Sequence, residues 1–118
     1  MSAEWTILTA GQVDAAAVLT GAAAVDPAIG IRQLWDGDAV QLLTEDGVVL
    51  VTLFQSRRLD STTDAERLLG RPLSVAGDRL WWTEVHAAAQ PPLRGTAERI
   101  VRNIAEAAGG TAEAGAAR

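Results

Sequence analysis

A predicted hairpin at residues 39–54 constrains the fold more than any other part of the chain. The segment reads AVQLLTEDGVVLVTLF, and Asp46-Gly47 separates its two apolar runs. An Asp-Gly pair in this setting favours a two-residue type I′ turn, which needs positive φ at both central positions. The resulting cross-strand pairs are Glu45–Val48, Leu43–Leu50, Gln41–Thr52 and Ala39–Phe54.

The two faces of this hairpin differ in character, because side chains alternate across a strand. One face is almost wholly apolar and is predicted to be buried; it carries Val40, Leu42, Thr44, Val49, Val51 and Leu53. The other is mixed and is predicted to contact a partner; it carries Ala39, Gln41, Leu43, Glu45, Val48, Leu50, Thr52 and Phe54.

A second corner is predicted at Asp36-Gly37, before residue 39. It gives the pairs Leu34–Ala39, Gln33–Val40 and Ile31–Leu42. Ile31 and Trp35 then fall on the buried face, and Arg32 and Leu34 join the mixed face. Both corners give the same inward set, so the three strands are predicted to form an antiparallel meander.

Helices are predicted at residues 11–24, 63–69 and 93–108. The first two begin with capping-box spacing, at Thr9 to Gln12 and at Thr63 to Glu66. The third carries an apolar stripe of helical period, formed by Leu93, Ala97, Ile100, Val101, Ile104 and Ala108.

The remaining strands are less regular in pattern. Residues 5–8 form a short strand or an extended arm, and residues 73–76 form a brief strand before a loop at Gly77-Asp78. The last strand, at residues 79–88, has an inward set of Trp81, Thr83, Val85 and Ala87. The predicted class is α+β, an antiparallel meander sheet of four to five strands packed by two to three helices. Residues 1–108 form one domain, and the Ala/Gly-rich residues 109–118 are predicted to be a disordered tail.

Composition excludes several classes of function. The net charge is −5, so no basic stripe is available to bind nucleic acid. The chain has no cysteine, and therefore no disulfide and no thiolate ligand. It has no apolar segment of the ~20 residues that span a bilayer, and no signal-peptide pattern. A cytoplasmic protein with no membrane association and no cofactor is predicted.

The main candidate site is an apolar patch for a protein partner. Trp82 is predicted to point away from the core, and aromatic rings are favoured at interfaces. The patch consists of Trp82, Phe54, Leu43, Leu50 and Leu34. Either a helix of the chain covers this patch or another chain does. We expect a non-catalytic protein-interaction module, chaperone-like or immunity-like, which forms a homodimer.

An alternative is a small-molecule-binding or enzymatic domain. Glu84 and His86 lie two residues apart on one strand face, where a carboxylate can orient an imidazole for general-base chemistry. Arg57-Arg58 is a candidate clamp for a carboxylate or phosphate. No nucleophile motif completes a catalytic site, and the acidic corner residues lack the spacing of a calcium loop. No catalytic and no metal-binding residue is therefore assigned.

The order helix, three strands, helix, one or two strands, helix resembles small acidic secretion-chaperone-like and YbjN-like domains. The resemblance covers residues 10–108 and depends on element order, size and acidity, with no signature motif. The early strand near Trp5 departs from it. The resemblance implies a dimeric, non-catalytic protein that holds a partner polypeptide.

Overall fold

The apolar patterns of the sequence correspond to seven strands and three helices in the described part of the chain. The structure, a computed structural model, describes residues 2–59, 62–70 and 80–115. The strands are β1 (Ser2–Thr9), β2 (Gly30–Leu34), β3 (Ala39–Leu43), β4 (Val49–Phe54), β5 (Arg57–Leu59), β6 (Leu80–Ala88) and β7 (Thr111–Ala114). The helices are α1 (Ala15–Ala23), α2 (Thr62–Leu69) and α3 (Leu93–Ala107). The strand predicted at residues 73–76 and the loop at Gly77-Asp78 lie outside the described residues.

The described strands form one antiparallel sheet in the order β2-β3-β4-β6-β1-β7. β5 follows β4 along the same side of β6. The α+β class and the meander β2-β3-β4 are therefore confirmed. The described sheet has seven strands where four to five were predicted, because segments near both ends of the chain join it.

The hairpin at residues 39–54 turns through three residues rather than two. The Thr44 N–H donates to the Val48 carbonyl at 2.8 Å, and of the loop residues only Gly47 has positive φ, at 86°. The predicted type I′ turn and the pairs Glu45–Val48 and Leu43–Leu50 are therefore wrong. A β-bulge absorbs the extra loop residue, since Leu43 pairs with Val49 whereas the next pair is Leu42–Val51. Beyond the bulge, the predicted pairs Gln41–Thr52 and Ala39–Phe54 are confirmed.

The second corner keeps its predicted register but leaves its apolar residues outside the core. Leu34 pairs with Ala39 and Ile31 with Leu42, as predicted. Trp35, however, is 66% exposed and has φ of 51°. Ile31 lies on the predicted side of the sheet but is 43% exposed. Both were predicted to be buried, which is wrong because β2 is an outer strand whose core-side face is only partly covered.

α1 and α3 pack on one face of the sheet and form the main core with it. The apolar stripe of α3 is confirmed, because Ile100, Val101 and Ile104 are fully buried. The sheet contributes Trp5, Ile7, Leu42, Val51, Leu53, Val85 and Ala87. Val40, predicted to be buried, lies on the core side but is only half-buried. Val49 was also predicted to face the core, which is wrong because the bulge places it opposite Leu43 on the other face of the sheet.

β1 is a central strand of the sheet rather than an arm. It pairs with β6 at eight positions, from Ser2–Ala88 to Thr9–Trp81, and with β7 on its other side. Ile7 and Leu8 face opposite sides of the sheet, and both are fully buried. Thr9 belongs to this strand and does not cap α1. Asp14 is the cap, and its carboxylate accepts a hydrogen bond from the Ala17 N–H at 2.9 Å.

The C-terminal segment, predicted to be disordered from residue 109, contains β7. Thr111–Ala114 pairs with residues 5–8 of β1, and the Gly115 N–H donates to the Glu4 carbonyl at 2.7 Å. Gly110 makes the entry to this strand possible, because a β-carbon there would lie 1.9 Å from the Leu8 carbonyl oxygen. Alanine and glycine have no apolar period, so this strand depends on backbone pairing that the sequence pattern does not display.

The contact between α1 and α3 depends on Gly21. A β-carbon at this position would lie 2.7 Å from the backbone nitrogen of Ile104 and 2.9 Å from its Cα. The Asn103 side-chain amide donates to the Gly21 carbonyl at 3.4 Å across the same contact. The two helix backbones therefore touch at a point that has no room for a side chain.

Replacement of Gly21 by alanine is expected to lower the free energy of unfolding. Overpacking costs about 1–3 kcal/mol and exceeds the ~1 kcal/mol that alanine gains in a helix. Gly95→Ala is the matched control, because Gly95 lies in α3 with no atom within 4 Å of the added β-carbon. We expect Gly95→Ala to stabilise by about 0.5–1 kcal/mol. Urea unfolding monitored by circular dichroism measures both, and equal effects would contradict the close helix contact.

Candidate functional site

The candidate site is the open face, which is the face of the sheet opposite α1 and α3. A row of polar side chains crosses it on five adjacent strands: Arg32, Gln41, Thr52, His86 and Glu4. The Arg32 Nε donates to the Gln41 Oε1 at 3.1 Å, and the Gln41 Nε2 donates to the Thr52 Oγ1 at 3.5 Å. The strand register places all five side chains in one row, because directly paired residues of an antiparallel sheet share a face.

Apolar side chains flank this polar row. Leu34, Ala39 and Phe54 share the next row, and Leu43 lies beside Gln41. Leu34, Leu43 and Phe54 are half-buried. The Phe54 ring packs edge-on against the His86 ring, with 5.1 Å between centroids. The structure therefore places four of the five predicted partner-binding residues on this face, and three of them, Leu34, Leu43 and Phe54, lie beside the polar row.

Leu50 does not belong to this face. It is 2% exposed and packs in the main core. Simple alternation placed it outward, but the bulge beside Leu42–Leu43 interrupts the alternation at this point. Its inclusion in the predicted patch is therefore wrong.

Trp82 lies at one end of the open face, where α2 covers the sheet. It packs against a second buried cluster formed by Leu8, Leu69 and Leu80, and it remains half-buried. Leu69 comes from α2, so a helix of the same chain provides part of this cover. The predicted anchor of the patch is therefore bound in part by its own chain.

The candidate ligand-binding residues lie on two strands: Glu84 and His86 share the open face on β6, whereas Arg57 and Arg58 belong to β5. Glu84 is exposed opposite Thr6, while His86 is half-buried opposite Glu4, a carboxylate that the sequence patterns did not single out. Among residues 2–59, 62–70 and 80–115, no group of three or more His, Asp or Glu side chains is placed to hold a metal ion.

Arg57 and Arg58 are exposed neighbours in β5, where Arg57 pairs with Trp82 and Arg58 pairs with Trp81. Consecutive side chains of a strand leave the backbone on opposite faces of the sheet. The joint recognition of a carboxylate or phosphate by this pair stays a prediction.

No protein-family model matches the chain, and neither a curated protein nor a solved structure does. The resemblance to secretion-chaperone-like and YbjN-like domains therefore stays a prediction. In the described part of the chain, no helix has the length and apolar character needed to cross a membrane.

Trp82→Ala is expected to lower the free energy of unfolding by about 2 kcal/mol, because it removes contacts with the cluster under α2. Leu68→Ala is the control, since Leu68 lies on the same helix but is 59% exposed and is expected to cost less than ~0.5 kcal/mol. Chemical denaturation distinguishes the two variants. An unchanged midpoint for Trp82→Ala would show that the ring does not belong to the folded cluster.

Proposed function

We propose that the protein is a non-catalytic protein-interaction module that holds a partner polypeptide on its open face. The observation that carries this proposal is the unequal cover of the sheet: α1 and α3 pack on one face, whereas α2 covers only the Trp82 end of the other in the described residues. Half-buried Leu34, Leu43 and Phe54 are left beside a row of hydrogen-bonding side chains.

This mixture suits a protein surface better than a small ligand. Protein interfaces combine an apolar centre with about one hydrogen bond per 100–200 Å². The row offers hydroxyl, amide and imidazole groups at its centre, and the flanking leucines supply apolar area. A chaperone-like or immunity-like role and a cytoplasmic location belong to this proposal, and the lack of cysteine fits a reducing compartment. The alternative ligand site at Glu84 and His86 stays a prediction.

A second copy of the chain complements the open face in charge. The polar row has a cation at one end, Arg32, and an anion at the other, Glu4, with Thr52 midway. Two sheets that pack face to face lie about 10 Å apart with nearly aligned strands. A two-fold axis parallel to the strands and passing over Thr52 reverses the row, so that Arg32 of each copy faces Glu4 of the other. We therefore propose that the open face forms a homodimer.

The charge pattern provides a test of the homodimer. Arg32→Glu alone and Glu4→Arg alone each place like charges opposite one another, and each is expected to weaken the dimer about tenfold. The double variant restores opposite charges and is expected to recover the dimer. Sedimentation equilibrium measures the dissociation constant, and Arg99→Glu, an exposed position on α3, is the matched control.

A face that packs on a different partner would give another result. In that case the wild-type protein would be a monomer at all concentrations, and the three charge variants would sediment alike. Leu43→Glu gives an independent check, because it places a charge in the apolar part of the face and is expected to abolish the dimer. Circular dichroism must show that this variant remains folded.

A further inference from the structure

Three exposed apolar side chains lie at or near one edge of the sheet, away from the open face. Ile31 is in β2, and Trp35 follows the last residue of that strand. Leu19 comes from α1 and lines the same groove as Ile31. Leu19 is 53% exposed, Ile31 43% and Trp35 66%. Large apolar groups that remain exposed around one groove, as Leu19 and Ile31 do, are typical of interaction surfaces.

A groove of about 390 Å³ separates α1 from the ends of β2, β3 and β4. It lies on the α1 side of the sheet, because its wall includes Ile31 and Val40, whose pairing partners face the core. Ser56 and Thr83 also line it, and their hydroxyl groups are hydrogen-bonded to each other at 2.7 Å. The groove is therefore mainly apolar, with hydroxyl groups at one end.

The strand beside this groove has an unpaired side in the described sheet. β2 is the outermost strand of its end of the sheet and pairs with β3 alone among the described strands. Proteins protect such edges with proline, bulges or several charges. β2 has the sequence GIRQL, with regular pairing and one charged residue, Arg32, which points to the open face. Its outer backbone groups are a template for another strand.

The corner at the end of β2 has an unusual backbone. Trp35 and Asp36 both have left-handed φ, at 51° and 56°, and Gly37 continues with 96°. This region is unfavourable for a bulky residue, and such conformations concentrate at binding sites. The result is an exposed indole ring followed directly by a carboxylate.

The charge around the groove is of one sign. Asp14 and Asp38 line it, Asp36 is next to Trp35, and all three are exposed. No basic side chain lines the groove. Carboxylates and an indole face together attract a guanidinium or ammonium group.

We infer that β2 accepts an extended polypeptide segment as an additional antiparallel strand, and that the segment carries apolar side chains at alternate positions and a nearby arginine or lysine. The alternate apolar side chains enter the groove between Leu19 and Ile31. The basic side chain binds at Trp35 and the adjacent aspartates. This site lies away from the open face and does not require the proposed homodimer.

Capped hexapeptides test the inference by amide NMR of the whole chain. In the first, the valine–arginine peptide, an N-terminal arginine precedes alternating valine and threonine, because the N-terminus of an antiparallel segment lies at the Trp35 end of β2. In the second, the valine–glutamate peptide, glutamate replaces that arginine; the third is the first with alternate backbone nitrogens methylated. We expect the first peptide to shift the amide signals of β2 and of the first turns of α1. The second is expected to bind at least about tenfold more weakly because of charge, and the third likewise because it lacks strand hydrogen bonds.

Substitutions at exposed positions locate the contact without disturbing the core. Ile31→Thr and Leu19→Gln are each expected to weaken binding of the valine–arginine peptide about tenfold. The matched controls are Val48→Thr and Leu68→Gln, two exposed apolar positions elsewhere, which are expected to leave binding unchanged. Trp35→Asn keeps a residue that tolerates the left-handed backbone and is expected to reduce binding of this peptide.

Three outcomes would overturn the inference. The first is the absence of shifts in β2 at millimolar valine–arginine peptide. The second is equal binding of the valine–arginine and valine–glutamate peptides, which would remove the charge argument. The third is self-association that Ile31→Thr abolishes, because it would show that a second copy of the chain occupies this edge. None of these outcomes depends on the Arg32 and Glu4 variants that test the homodimer.

Discussion

The pairing of β1 with β6 is the interaction on which the rest of the structure depends. It holds the first described strand inside the sheet, between β6 and β7, and gives each face a fully buried side chain, Ile7 on one and Leu8 on the other. Ile7 belongs to the core under α1 and α3, whereas Leu8 belongs to the smaller cluster under α2. One strand thus links the two cores, and β7 adds to its free side.

The unequal cover of the sheet follows from how the helices pack. α1 and α3 contact one another at Gly21 and leave the β2 end of their face partly bare. α2 protects the opposite face only around Leu69 and Trp82. Both proposed contact surfaces are regions that this arrangement leaves wholly or partly uncovered by helices. The proposals therefore depend on packing geometry more than on any single reactive side chain.

Local patterns predicted the parts of the fold that local physics determines. The stripe of α3 could be predicted, because a helical period leaves few alternatives. The register at Ala39–Phe54 was also predicted correctly, but only because the bulge offsets the extra residue of the loop. The burial of Leu50 could not be predicted, because one added loop residue and its compensating bulge change the face that this side chain occupies. Trp35 and Ile31 show a different limit. Alternation assigns a face, but only tertiary packing decides whether that face is covered.

The strands near the ends of the chain were the least predictable. Residues 5–8 were interpreted as a short strand or an extended arm and residues 109–118 as a tail, because short or alanine-rich segments carry little pattern of their own. Part of the candidate site could be predicted from the sequence, because alternation places Leu34, Leu43 and Phe54 on one face. The predicted register already placed Arg32 opposite Gln41. The rest of the polar row was missed, because His86 and Glu4 join it only through sheet order, which no local pattern contains.

The central position of β1 also constrains the order in which the chain can assemble. Its partners on β6 are separated from it by most of the sequence, whereas β2, β3 and β4 are joined by short loops. Closing a long loop costs entropy that only later contacts repay. We therefore expect the meander to form early and β1 to insert late, which φ-values at Leu42 and Ile7 would rank in that order. Until that insertion β7 has no strand to pair with, and we expect the arrival of β1 to be the slowest step of folding.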